Sequence, residues 1–201
     1  MTAPEPPPPS AADEGPAPVR VGVLLPGLPA RPGEWLADCT AYDAAGADVL
    51  WIDAGATPPY DVLAVAAALA AATYRVRLVV ALPESVPPAA FLARALATVA
   101  TLSDGRLALA ADPRRRAQLH VLAPALRVFE RRPAGGYDEP GAGRWAQVPS
   151  PRGRDAWGAT LSGAAERGLH GLLVPPTASL LDTLRNPEPP PPRQDLRLAQ
   201  G

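Results

Sequence analysis

The feature that most constrains this chain is a rhythm. Short apolar runs begin near residues 21, 48, 76 and 106, at intervals of 27, 28 and 30 residues. The runs are Val21 to Leu25, Val49 to Ile52, Val76 to Leu82 and Arg106 to Ala110. A helical pattern fills each gap. Trp35, Leu36, Cys39 and Tyr42 mark the first, Val62, Val65, Ala66 and Leu69 the second. Phe91, Leu92, Ala95, Leu96, Val99 and Leu102 mark the third, which Ser103-Asp104-Gly105 ends. Strands that are apolar on both faces, with a helix in every gap, are the signature of parallel βαβ units. Their crossovers are right-handed, which leaves an open doubly wound sheet or a barrel.

Beyond residue 110 the rhythm falters. Leu119, Leu122, Leu126 and Phe129 keep helical spacing, but Pro124 should kink or split that helix. Residues 131–143 read as a loop rich in Gly and Pro. Regularity returns with a strand at Trp145 to Val148, a helix around Trp157, Leu161 and Ala164, and a strand at Gly171 to Val174. Thr177 suits the N-cap of a closing helix over 179–184.

The count is about six strand–helix units. An eight-unit barrel at roughly 28 residues per unit needs about 225 residues. Residues 19–187 supply 169. The expected fold class is therefore α/β, with parallel (βα) repeats in a truncated, TIM-barrel-like arrangement. A six-strand sheet leaves an open seam, and exposed strand edges are a liability. Homodimerisation, or the loop at 131–143, would cover it.

Of the 28 prolines, seven lie in the first 18 residues and five in 187–192. The expected organisation is a disordered Pro-rich tail at 1–18, one α/β domain at 19–187 and an extended tail at 188–201.

Charge narrows the partners. The basic residues, 19 in number and all Arg, face 20 acidic ones, for a net charge of -1. Nothing in that balance calls for nucleic acid or an anionic membrane. One cysteine, Cys39, excludes an internal disulfide framework. The first residues lack an apolar segment of the secretory kind, and the longest apolar stretch, 62–72, is too short to span a bilayer. A cytoplasmic protein is the expectation, with a small-molecule substrate only if the chain is an active enzyme. No CxxC or His-rich metal spacing, GxSxG elbow, GxGxxG turn or P-loop occurs.

In barrels and doubly wound sheets, ligands bind at the C-terminal strand ends. That rule puts Gly27, Asp53, Glu84, Ser85 and Asp112 on the functional side, and Asp48 and His170 on the stabilising one. Asp53 can equally begin a turn, and turn chemistry accounts well for Glu84 and Ser85. His120 belongs on a helix surface. Cys39 and the four tryptophans, Trp35, Trp51, Trp145 and Trp157, fall on core-facing patterns.

Four stretches together resemble the luciferase-like monooxygenase family: Val21 to Pro26, Ala44 to Asp53 (AAGADVLWID), Leu63 to Val79, and Leu92 to Leu107 (LARALATVATLSDGRL). The C-terminal GLLVPPTASLLDTLRNP looks like the closing strand–helix pair of shortened members. The resemblance implies a flavin- or deazaflavin-dependent oxidoreductase or monooxygenase, with FMN or coenzyme F-420 at the strand C-termini. It places Asp53 where family members carry an acidic residue near the flavin. Two features depart from the pattern. Ala54-Gly55 follow where a His is common, and the fourth strand runs into Ala111-Asp112-Pro113 without glycine. The alternative is a catalytically degenerate member with a binding or structural role and no cofactor.

Overall fold

A computed structural model describes residues 18–25, 31–55, 57–83 and 87–186. The expectations for both tails, for Gly27 and for Glu84 and Ser85 lie outside these residues.

The chain alternates β1 (Arg20–Leu25), α1 (Pro32–Ala44), β2 (Val49–Ile52), α2 (Val62–Ala72), β3 (Arg77–Ala81), α3 (Ala89–Leu102), β4 (Leu107–Ala111) and α4 (Pro113–Leu122). Three strands then follow without a helix between them: β5 (Arg127–Arg131), β6 (Tyr137–Glu139) and β7 (Gly143–Gln147). The order closes with α5 (Arg154–Glu166), β8 (Leu169–Val174) and α6 (Ala178–Arg185). The eight strands form a closed barrel in sequence order, with β8 pairing back to β1. The six strand–helix units are present, and the fold is TIM-barrel-like.

The seam expected from the residue count is not open. A parallel neighbour needs a crossover of a dozen or more residues, whereas an antiparallel one needs only a hairpin. β6 pairs antiparallel with both β5 and β7. The barrel thus gains its last two strands without two helices, and no second copy is needed to close it. The glycines of the expected loop at 131–143 are this meander's turn chemistry. Gly135, Gly136 and Gly141 adopt φ of +86°, +78° and +74°, a region that costs most other residues strain. At Gly136 a Cβ would also stand 2.3 Å from the Trp145 carbonyl oxygen.

The helix expected across Pro124 ends at Leu122, and Phe129 belongs to β5. Pro124 splits the pattern instead of kinking it, since it can neither donate the next helical bond nor fit behind the preceding turn. Asp112 and Thr177 cap α4 and α6, accepting from the Arg114, Arg115 and Leu180 amides.

Alternate residues of each strand face two different cores. Leu50, Ile52, Leu78, Val80, Leu109 and Leu172 pack outward beneath the helices, with Trp35, Cys39 and Trp157. Burial, with Asp38 adding to it, pushes the Cys39 thiol up to about 12, so it behaves as a small hydrophobe. The barrel interior holds Val49, Trp51, Val79, Ala81, Ala108, Ala110, Phe129, Tyr137, Trp145 and Leu173. Large rings from β2, β5, β6 and β7 meet small residues from β4, β1 and β8. Trp51 packs edge-on to Phe129 at 5.1 Å, and Phe129 to Trp145 at 6.1 Å. The interior is a packed core and not a channel.

Candidate functional site

β6 runs against its neighbours, and Tyr137 and Glu139 are two residues apart, so both face inward at opposite ends of the barrel. Tyr137 stands at the C-terminal mouth formed by the other strands. Glu139 stands at the N-terminal mouth.

At the C-terminal mouth Asp53 follows directly on β2. Its Oδ1 accepts the Gly55 amide at 3.2 Å, so the turn expected here exists. Its Oδ2 faces the interior, 3.4 Å from the Tyr137 hydroxyl and 3.6 Å from Arg131 Nη2. The Arg131 guanidinium lies over the Tyr137 ring, 5.6 Å from its centroid. That ring in turn packs on Trp51 at 4.3 Å. Trp51, Tyr137 and Arg131 thus stack as a column beside the Asp53 carboxylate. Burial raises the Tyr137 phenol above its ordinary value, and Asp53 adds to this against the opposing pull of Arg131. The hydroxyl is therefore protonated at neutral pH and donates toward Asp53. Trp51 Nε1 is buried beside the Tyr137 hydroxyl, whose pKa it pulls down, though not in strict hydrogen-bond geometry.

Beside the mouth, over the end of β3, a cleft of about 530 Å³ opens between the starts of α2 and α3. Tyr60, Asp61, Leu82, Pro83 and Leu92 line it. Across the barrel, beyond β7 and β8, the Ser150, Thr177 and Ser179 hydroxyls cluster at 2.9 and 3.1 Å.

The expected site residues therefore separate. Asp53 lies at the mouth beside the Arg131 guanidinium and the Tyr137 hydroxyl. Asp112 is turned to the α4 N-terminus, where a negative charge is favoured by the helix dipole. Arg131 and Tyr137 were not anticipated. The alternation of RVFER, a turn containing Gly135-Gly136 and the start of YDE is the hairpin signal that could have found them.

The N-terminal mouth is built for stability. The Glu139 side chain is fully buried and bridges Arg77, at 2.6 Å, and Arg127. It also accepts the Trp145 indole N–H at 2.9 Å. Burial alone would raise its pKa, but Arg127, Trp145 and Arg77 outweigh that and hold it below the usual value of 4.5. His170 Nε2 lies 3.4 Å from Glu139 without a hydrogen bond of normal geometry. Desolvation lowers the His170 pKa below 6.5, and Arg20 and Arg77 oppose the attraction of Glu139 and Asp48. Asp48 accepts the Val21 amide at 2.7 Å, joining β1 to the start of β2. His120 is exposed on α4.

These two depressed values set the pH dependence together with that of Asp43. Despite burial, the Tyr74, Val76 and Arg75 amides hold the Asp43 carboxylate below 3.8, so it joins the lower, acid stage. Below pH 6.5 the unfolded His170 gains a proton that the folded one resists, and below pH 4.5 the same holds for Glu139. The stability from each is fully present above its unfolded value and is lost as pH falls toward the folded one. Urea midpoints should therefore decline in two stages on acidification. His170→Gln should flatten the upper stage alone. A midpoint that rises between pH 7 and 5.5 would contradict this assignment.

Among the described residues, no group of three or more His, Cys, Asp or Glu could hold a metal ion, and no helix is long and apolar enough to cross a membrane. No curated protein matches the chain. Among solved structures it is similar to tryptophan synthase from M. tuberculosis. The open form shows 18% identity over 83% of this chain and 86% of that one, with a TM-score of 0.48. The aminoacrylate-bound form shows 17% identity over 84% and 70%, with a TM-score of 0.40. The family model of the luciferase-like monooxygenases matches residues 17–111, which span β1 to β4 and include Asp53. Over those residues the chain is similar to the luciferase-like monooxygenase family.

Proposed function

We propose that this protein is a flavin- or deazaflavin-dependent oxidoreductase that binds its cofactor across the C-terminal mouth of the barrel. The observation that carries the proposal is Asp53. It lies inside the family-matched segment, at the strand end where barrels of this architecture place ligands, and it faces Tyr137 and Arg131.

The residues present fit the two ends of such a cofactor differently. Asp53, Arg131 and Tyr137 offer an acceptor and two donors to the ring. For a phosphate, the described residues offer the hydroxyl cluster of Ser150, Thr177 and Ser179 beyond β7 and β8, a common phosphate position in these barrels. The start of α4 does not suit a phosphate, because the Asp112 carboxylate already accepts its first amides. Bound there, a reduced cofactor supplies a hydride or, if a flavin, reduces dioxygen; the protein orients it and limits water. The cleft over β3 gives a small substrate a place beside the ring.

Titration of the purified protein with FMN and with coenzyme F-420, followed by absorbance and fluorescence, tests this. Saturable binding of one of them is expected, weakened about ten-fold by Asp53→Ala, the size of one lost hydrogen bond to a charged group. Binding of neither would sink the proposal. Binding without turnover of the reduced cofactor would favour a degenerate member that keeps the ligand and has lost the reaction.

A further inference from the structure

We infer that Asp53 and Arg131 together read the imide edge of the cofactor's pyrimidine ring, so that recognition comes from a residue pair split between the family-matched half and the hairpin beyond it. The inference rests on the flavin or deazaflavin assignment above. It goes further in naming the ligand edge and the hairpin residue that meets it.

The argument begins with what the site rejects. A carboxylate and a guanidinium side by side leave little net charge at the mouth. A phosphate or carboxylate drawn to Arg131 would meet Asp53, and a cation drawn to Asp53 would meet Arg131. A neutral edge carrying a donor beside an acceptor suits both at once. The pyrimidine-2,4-dione of flavins and deazaflavins has that pattern, an N–H flanked by two carbonyls. Asp53 is acceptor-only when ionised, and Arg131 is donor-only.

The distances leave room for this. Asp53 Oδ2 is 3.6 Å from Arg131 Nη2 and 3.4 Å from the Tyr137 hydroxyl, both longer than a charge-assisted hydrogen bond. Neither contact saturates the carboxylate, which has about four lone-pair sites. Side-chain exposures of 24% for Asp53 and 53% for Arg131 keep both accessible. The column beneath holds the pair in place, since the guanidinium rests on Tyr137 and Tyr137 on Trp51. A carboxylate turned wholly to solvent, or an arginine in a tight bidentate pair, would not offer this edge.

The imide nitrogen supplies the test. Riboflavin and N3-methylriboflavin differ there by one methyl group, and neither carries a phosphate. Fluorescence titration of both probes into the wild type should show methylation weakening binding by roughly ten-fold or more, because it removes the donor that Asp53 accepts. In Asp53→Ala the two probes should bind within about twofold of each other. Arg131→Gln should weaken riboflavin by about ten-fold, the loss expected for one charged donor. Tyr137→Phe should have a smaller effect. Thermal melts of each variant separate lost binding from lost fold, and Arg131→Gln, at a half-exposed side chain, serves if Asp53→Ala does not fold. Equal binding of the two probes by the wild type would overturn the inference and leave the cofactor assignment standing. So would discrimination that survives in Asp53→Ala. Failure of the wild type to bind FMN, riboflavin or coenzyme F-420 would overturn both.

Discussion

Replacing Glu139 with alanine is expected to destabilise the fold by about 3 kcal/mol and to lower the melting temperature by roughly 6–12 °C. The side chain is fully buried, and three donors converge on it: Arg77, Arg127 and the Trp145 indole. Removing one partner of a buried ion pair leaves the others desolvated and uncompensated, which typically costs about 3–5 kcal/mol. The lower end applies because Arg127 is nearly half exposed and can turn to water. Glu139→Gln should fall between the two, since its amide oxygen can still accept the indole N–H while the charge is gone. Urea unfolding of the three proteins at pH 7.5 gives the order. A loss below about 1 kcal/mol for Glu139→Ala would mean that the arginines are held by something other than this carboxylate.

Gly171→Ala is expected to be nearly as damaging, at about 2–3 kcal/mol, although it adds a single carbon. A Cβ there would stand 2.5 Å from Cε3 and Cζ3 of Trp145. The indole has nowhere to move. Its Nε1 is bound to Glu139, Phe129 packs against it, and a Cβ on Gly22 would already lie 3.3 Å from Cζ3. Overpacking of this kind forces off-rotamer side chains or backbone shifts. Trp145→Phe should cost stability by itself but absorb part of the Gly171→Ala penalty, giving a favourable coupling energy in a double-mutant cycle. Strict additivity of the two would show that the clash is relieved by the backbone.

The repeating half of the barrel was legible because each of its strands is apolar on both faces and each gap carries a helix. Burial follows that pattern closely: Leu50 and Trp51 lie on opposite faces of β2 and both are fully buried. The other half was not, for two physical reasons. Leu119 to Phe129 keeps a 3.6-residue period across Pro124 by chance of composition, so a strand that begins at Arg127 looked like the end of a helix. β6 is three residues long, and no period can be read from YDE. The mouth suffered in the same way. Asp53 could be placed at the mouth because it follows a readable strand. Arg131 and Tyr137 were missed because their strands were. Asp112 shows the limit of position alone, since the strand end was placed well and the carboxylate turns to the helix it starts.

The three residues of β6 carry a consequence for how such a protein can vary. Glu139 anchors the strand at one end through charge and through pairing with Gly143, while Tyr137 sits at the other end beside Arg131. The turn between Arg131 and Tyr137 is bounded by the bond from the Arg132 amide to the Gly136 carbonyl. Insertions or substitutions in that turn can reshape the C-terminal mouth, where we propose the cofactor binds, while the anchored end keeps its register. Ligand preference and thermal tolerance would then drift at different rates in descendants of this chain, though both are written in one short strand.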